Sequence, residues 1–176
     1  IVDVAREKNA DVIVMGIKGG GKIEEILIGS NTAGVMRKSL SPVLIVPAKI
    51  KYKPVKNIVL ACDYSEEITN DKLFNLFKEF INFFKAKVMV LNILQPQRVT
   101  TFDTAVSGIK IENYLQGIDH TMHFPEGEDV EEGINTFIKE HGADMLVMFP
   151  KKHNLIERIF HKSNTKKMTF HTEVPL

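Results

Sequence analysis

Three stretches of this chain recur later in it at one fixed spacing. Asn9-Ala10-Asp11-Val12-Ile13-Val14-Met15 is matched by Gly142-Ala143-Asp144-Met145-Leu146-Val147-Met148, Ser30-Asn31-Thr32 by Ser163-Asn164-Thr165, and Pro42 by Pro175. In every pair the residue numbers differ by 133, without a gap. One offset shared by three separated segments, at the length of a domain, implies a duplicated domain and not a solenoid. The second copy starts near Val55, so the first would need roughly 75–80 residues ahead of Ile1. Leu176 corresponds to Val43, so the second copy stops before its counterpart of Leu44-Ile45-Val46. The expectation is a tandem protein cut at both ends: residues 1–50 the C-terminal part of a first domain, 51–56 a basic linker with Pro54, and 57–176 a second domain lacking its last strand.

Periodicity supplies the elements. Short apolar runs at Val12–Met15, Val43–Val46, Ile58–Cys62, Val88–Leu94 and Met145–Phe149 suit strands buried on both faces of a parallel sheet. His120–Phe124 is a further short strand. Helices are expected at the start (1–8), at 31–39 behind a Ser30 or Asn31 cap, at 69–85, 103–116, 128–141 and 163–170. In the third of these Leu73, Phe77, Phe80, Ile81 and Phe84 fall at helical spacing, and in the fifth Val130, Ile134, Phe137 and Ile138 do. Strands alternating with helices give an α/β fold, an open parallel sheet with right-handed crossovers.

Charge and cysteine content narrow the function. Lys plus Arg number 23 against 22 Asp plus Glu, which lacks the basic excess of a nucleic-acid binder. Cys62 is the single cysteine, so no internal disulfide and no cysteine zinc site can form, and a reducing, cytoplasmic setting is expected. No apolar run approaches the ~20 residues of a membrane span, so neither nucleic acid nor membrane is an expected partner.

The richest motif lies between the first strand and the following helix: Gly16-Ile17-Lys18-Gly19-Gly20-Gly21-Lys22, then Gly29-Ser30-Asn31-Thr32. Glycines let backbone N–H groups approach an anion. A helix N-terminus adds free donors and a favourable dipole. Lys18 and Lys22 add charge, and the carboxyl end of a strand is where open α/β sheets bind ligands. Gly16-x4-Gly21-Lys22 also matches a P-loop up to its last position, where Ile23 replaces the Ser or Thr that would hold Mg²⁺. A merely glycine-rich surface loop is the bland alternative.

Gly16-x2-Gly19-x9-Gly29-Ser30, with Ala10-Asp11-Val12-Ile13-Val14-Met15 before it and Ser41-Pro42-Val43-Leu44-Ile45-Val46-Pro47 after it, resembles the ATP-binding signature of the universal stress proteins. The resemblance covers nearly the whole chain and implies a UspA-like, Rossmann-like fold of the adenine nucleotide alpha hydrolase type. It implies that Gly16, Lys18, Gly19, Gly29, Ser30, Asn31 and Thr32 hold ATP, with or without Mg²⁺. It further implies that Asp63, in Cys62-Asp63-Tyr64-Ser65, is an acidic base-side position in the second copy, where an N-cap role is the alternative. Through the same resemblance, Val43–Val46 is a strand that pairs across a homodimer axis.

The second copy has lost the loop. The offset turns Gly16, Gly19 and Gly29 into Phe149, Lys152 and Lys162. The chain is therefore expected to hold no complete nucleotide site. His153, His161 and His171 stand 8 and 10 apart, no metal-ligand spacing, and fit a solvated basic face. His120 and His123 fall on opposite faces of their strand. Phe74, Phe77, Phe80, Phe83 and Phe84 read as core and interface. No nucleophile–base pair or carboxylate pair stands out, and Cys62 reads as buried and structural. The expected function is a non-enzymatic, nucleotide-responsive regulatory module. An interaction scaffold and a weak ATPase are the other two readings.

Overall fold

A computed structural model describes residues 1–17, 27–28, 30–48, 50–62, 71–96, 102–149, 168–169 and 172–176. By contact they form two compact units, one of Lys53–Leu155, the other of Ile1–Tyr52 with Ile156–Leu176. The repeat assigns 156–176 to the second copy, whereas contact groups them with the first 52 residues.

The Lys53–Leu155 unit is built on four parallel strands. They are β4 (Asn57–Ala61), β5 (Lys87–Leu91), β6 (His120–His123) and β7 (Met145–Met148), in the order β6-β5-β4-β7. Ile58 stands opposite Val88 on one side and Met145 on the other. The chain steps outward from β4 to β5 to β6 through α3 (Asp71–Phe84) and α4 (Phe102–Tyr114). It then returns across the sheet through α5 (Val130–Glu140) to β7. Right-handed crossovers in opposite directions place α3 and α4 on one face and α5 on the other. This is the expected open α/β sheet, and β4 shows why its sequence lacks alternation: Ile58, Val59, Leu60 and Ala61 are all buried, with a helix layer on each face.

The helices bury single stripes. On α3 these are Phe74, Phe77 and Ile81, each contributing about 1.5–3 kcal/mol on full burial. Phe77 and Ile81 are inward as expected, whereas Leu73, Phe80 and Phe84 are only half-buried and Phe74 completes the stripe. Phe83 is 80% exposed and touches only the flank of the helix, edge-on to Phe84. Helix α5 starts directly after its N-cap Asp129, whose carboxylate accepts from the N–H groups of Glu131 and Glu132 at 2.9 and 3.2 Å. Its inward residues are Ile134, Phe137 and Ile138, as expected, with Val130 half-buried.

The other unit pairs β1 (Ile13–Ile17) with β3 (Val43–Pro47) in parallel, Ile13 opposite Val43 and Ile17 opposite Pro47. Helix α1 (Val2–Glu7) precedes β1, and α2 (Ser30–Lys38) precedes β3. The Ser41 hydroxyl donates to the Ala10 carbonyl at 2.9 Å and the Ile13 N–H to the Pro42 carbonyl at 2.9 Å, fixing the start of both strands. Ile13 is buried but Val14 is exposed, so among the described residues β1 is covered on one face, not the two expected. A short strand β2 (Leu27–Ile28) pairs antiparallel with β8 (Met168–Thr169). That corrects the helix expected over 163–170: its residues 168–169 bond sideways to β2, and 163–167 lie outside the described residues. Ile45 and Leu176 exchange both main-chain hydrogen bonds, at 2.6 and 3.0 Å, so the outer edge of β3 is occupied at its middle residue.

Candidate functional site

Of the expected phosphate-binding residues, the structure describes Gly16, Ser30, Asn31 and Thr32, all in one unit. Lys18, Gly19, Gly29 and the base-side Asp63 lie outside the described residues, as do Lys152, His153, His161, Lys162 and His171. Gly16 was expected to open the loop. It lies instead within β1, opposite Val46 in the ladder, because pairing with β3 continues to Ile17 and Pro47. Its glycine identity has no internal cause: a Cβ there would meet nothing within 4 Å among the described residues, and its φ is not positive. Helix α2 begins at Ser30, so Ser30, Asn31 and Thr32 form its first turn, whose N–H groups have no partner within the helix. Asn31 is exposed. Thr32 is 5% exposed, and its hydroxyl has no hydrogen-bond partner among the described residues. A buried hydroxyl left so costs about 1–3 kcal/mol. Among the described residues, the helix start thus offers backbone donors without a partner in their own helix and one hydroxyl without a partner, the chemistry an oxyanion would take up.

The equivalent position of the second copy is built differently. Phe149 follows β7 and lies 4.8 Å from the Phe74 ring and 5.5 Å from Phe77, edge-on to the latter. Phe74 also stacks on Tyr114 at 4.2 Å. The side chain that stands 133 residues beyond Gly16 is therefore a member of an aromatic cluster.

Two polar features were missed from the sequence. Asp144 accepts hydrogen bonds on Oδ2 from the N–H groups of Lys56 and Asn57, both at 2.9 Å, and on Oδ1 from Lys53 Nζ at 2.8 Å. Burial opposes its ionisation, but the Lys53 ammonium and the two N–H donors outweigh that and hold the carboxyl below its ordinary value. The clue was the recurrence of aspartate at 11 and 144; Asp11 itself is exposed. The second feature is a histidine–aromatic group. His123 lies 4.8 Å from Phe137 and 5.3 Å from His141, and the His141 ring stacks on Phe137 at 3.8 Å. Burial, then His141 and Lys87, push the His123 imidazole below its ordinary value. His120 faces elsewhere, with Nε2 3.3 Å from Glu112 and Nδ1 2.7 Å from the Ile118 carbonyl. Among the described residues no three His, Cys, Asp or Glu side chains are grouped to hold a metal ion, and no helix is long and apolar enough to cross a membrane. Cys62 is buried, its thiol 3.9 Å from the Leu91 carbonyl.

The segment that carries β1, α2 and β3 has a counterpart among known families: residues 1–47 match the universal stress protein family model. Over these residues the chain is similar to universal stress proteins. A universal stress protein of Methanocaldococcus jannaschii is 45% identical over 49 residues, which is 28% of this chain and 30% of that protein. One from Synechocystis is 53% identical over 47 residues, 27% of this chain and 30% of the relative. The matched segment is therefore under a third of each curated relative. Among solved structures, a universal stress protein from Archaeoglobus fulgidus superposes with a TM-score of 0.67 at 18% identity, over 99% of this chain and 63% of its own. A putative universal stress protein from Pseudomonas aeruginosa gives 0.63 at 11% identity, over 88% and 58%. At such identities these two speak for the universal stress protein fold alone.

Proposed function

We propose that residues 1–47 supply the phosphate-binding half of an adenine nucleotide site, in a regulatory protein of the stress response. The reading rests above all on Gly16, a β1 residue next to the strand's last one whose Cβ position meets nothing within 4 Å among the described residues, in the same unit as the α2 helix start. The buried Thr32 hydroxyl and the family match over 1–47 support it. The residues fit a triphosphate: the Ser30–Thr32 N–H groups and the Thr32 hydroxyl would hold its oxyanions, with Lys18, Gly19 and Gly29 completing the loop. Nucleotide occupancy is then the signal, with at most weak hydrolysis. The second copy serves as a non-binding partner, because Phe149 and its cluster stand where the first has Gly16.

The test is amide chemical-shift mapping of the 176-residue chain with ATP, inorganic triphosphate and adenosine. ATP and triphosphate should both shift Gly16, Asn31 and Thr32, adenosine should not, and Gly16→Phe should abolish the response. Shifts from adenosine equal to those from ATP, or full ATP binding by Gly16→Phe, would defeat the proposal. Turnover measurements on the same samples separate regulation from hydrolysis.

A further inference from the structure

Two histidines meet where a helix ends on a strand. His123 lies on β6, and His141 is the residue that ends α5. Their rings stand 5.3 Å apart, and the Phe137 ring touches both. The two rings tolerate charge differently. His141 is exposed and donates from Nδ1 to the Phe137 carbonyl at 3.1 Å. A cation there is favoured by the helix C-terminus and by the aromatic face beneath it. His123 is half-buried, with Nε2 2.9 Å from the Thr121 hydroxyl. The charged groups that act on it, His141 from α5 and Lys87 from β5, both carry the sign that it would itself acquire. Glu140, beside His141 in sequence, is exposed, and His120, on the other face of β6, is the one that has Glu112. The place is also lightly held. Strand β6 has a single ladder neighbour among the described residues, and none of its four residues is fully buried. The last turn of α5 is closed by Gly142 at φ +58° and by the Ala143 N–H, which donates to the Ile138 carbonyl at 3.0 Å. Edge strands and helix ends with few buried contacts are the parts of a fold that open first.

We infer that the His123–His141 pair is an acid-operated latch: neutral, it seats the last turn of α5 on edge strand β6, and doubly protonated it lets that turn fray away with the sheet intact. His141 charges first as pH falls. The cation it then presents, together with Lys87, opposes a second proton on His123. Fraying removes that opposition and returns His123 to water, where an imidazole titrates near 6.5. The frayed form therefore binds one more proton than the seated form, so acid favours it. For a ring neutral while seated and free to ionise once released, the gain in the opening equilibrium between pH 7 and pH 5 is at most roughly 25-fold. Fraying bares the Phe137 ring, which is 5% exposed while the latch is closed. The inference is independent of nucleotide binding.

Hydrogen exchange of the 176-residue chain at pH 7 and pH 5, corrected for intrinsic rates, tests the latch. The reporters at the helix end are the His141 and Ala143 amides, which donate to the Phe137 and Ile138 carbonyls. The reporter within the sheet is the Cys62 amide, which donates to the Leu91 carbonyl. Opening at His141 and Ala143 should grow at least about fivefold in acid, while Cys62 changes by less than about twofold. His123→Gln should abolish the rise. His141→Gln should lessen it and raise the pH at which the His123 ring titrates, read from its NMR signals. Equal acceleration at Cys62 means global unfolding and overturns the inference. A rise that survives His123→Gln overturns it, and so does a His123 titration unmoved by His141→Gln. If neither variant folds, the ring titrations of the intact chain decide: His141 must charge at higher pH than His123, and the reverse order overturns the latch.

Discussion

Removal of the Asp144 carboxylate should weaken the Lys53–Leu155 unit mainly through the main chain, not through the ion pair. Asp144 Oδ2 accepts from two N–H groups at 2.9 Å, at the point where β4 begins. Hydrogen bonds to a charged acceptor contribute about 1.5–3 kcal/mol each when buried. These are part-buried, so Asp144→Ala should cost about 2–4 kcal/mol in all. Lys53 is half exposed, and an ion pair of that kind contributes about 0–1 kcal/mol. Asp144→Asn keeps one oxygen for the two N–H groups and loses the charge, so it should fall between. Urea unfolding at pH 7 should rank Asp144→Ala above Asp144→Asn above Lys53→Ala. The pH dependence follows from the lowered carboxyl value. A depressed carboxyl stabilises fully above its unfolded value of about 4, and the contribution is lost as pH falls through the folded value. The gap between wild type and Asp144→Asn should thus be full at pH 5 and close below pH 4. Lys53→Ala as costly as Asp144→Ala, or a gap unchanged to pH 2.5, would refute the reasoning.

Truncating the aromatic cluster with Phe149→Ala should cost about 2–3 kcal/mol in the same urea experiment, the low end for a phenylalanine because the ring is only half-buried. Gly16→Ala should change stability by less than about 0.5 kcal/mol, since its Cβ meets nothing, while weakening the ATP-induced shifts at Thr32. For His123, burial favours the neutral ring, so the native state loses stability as pH falls below the unfolded value of about 6.5. His123→Gln should flatten the stability profile between about pH 6.5 and 5, which thermal melts at stepped pH would read. An unchanged slope would refute the assignment to His123.

Much of the Lys53–Leu155 unit was legible because its segments bury complete stripes. Ile58–Ala61 and Ile134–Ile138 carry their burial in their composition, and the helix and strand types there follow from spacing alone. Errors fell where an element depends on a distant neighbour. Met168 and Thr169 have helical surroundings in sequence, but their hydrogen bonds go to Leu27 and Ile28, far off in the chain. On α3 the spacing found Phe77 and Ile81 but not which other residues join them, because five phenylalanines within eleven positions satisfy more than one helical phase, and ring contact with Tyr114 and Phe149 selects Phe74. For the candidate site, the motif marked Gly16 and Ser30–Thr32, but no local pattern tells that Thr32 is buried or that Gly16 is a ladder residue. Asp144 was visible only as a repeated letter, since its partners at 56 and 57 lie nearly ninety positions away.

The ring of Phe149 has a bearing on history. A duplicated gene can recover a lost function only by steps that each leave a folded product. Here replacement of Phe149 by glycine would strip two ring contacts and place the least restrained residue after a strand end. That loss is a sizeable share of the roughly 5–15 kcal/mol by which a domain is stable. Neighbours such as Phe74 and Phe77 would have to adapt first, and while Phe149 remains they have no reason to. The ring thereby entrenches its own position: a side chain that neighbours have packed around acts as a ratchet against the glycine that stands 133 residues earlier.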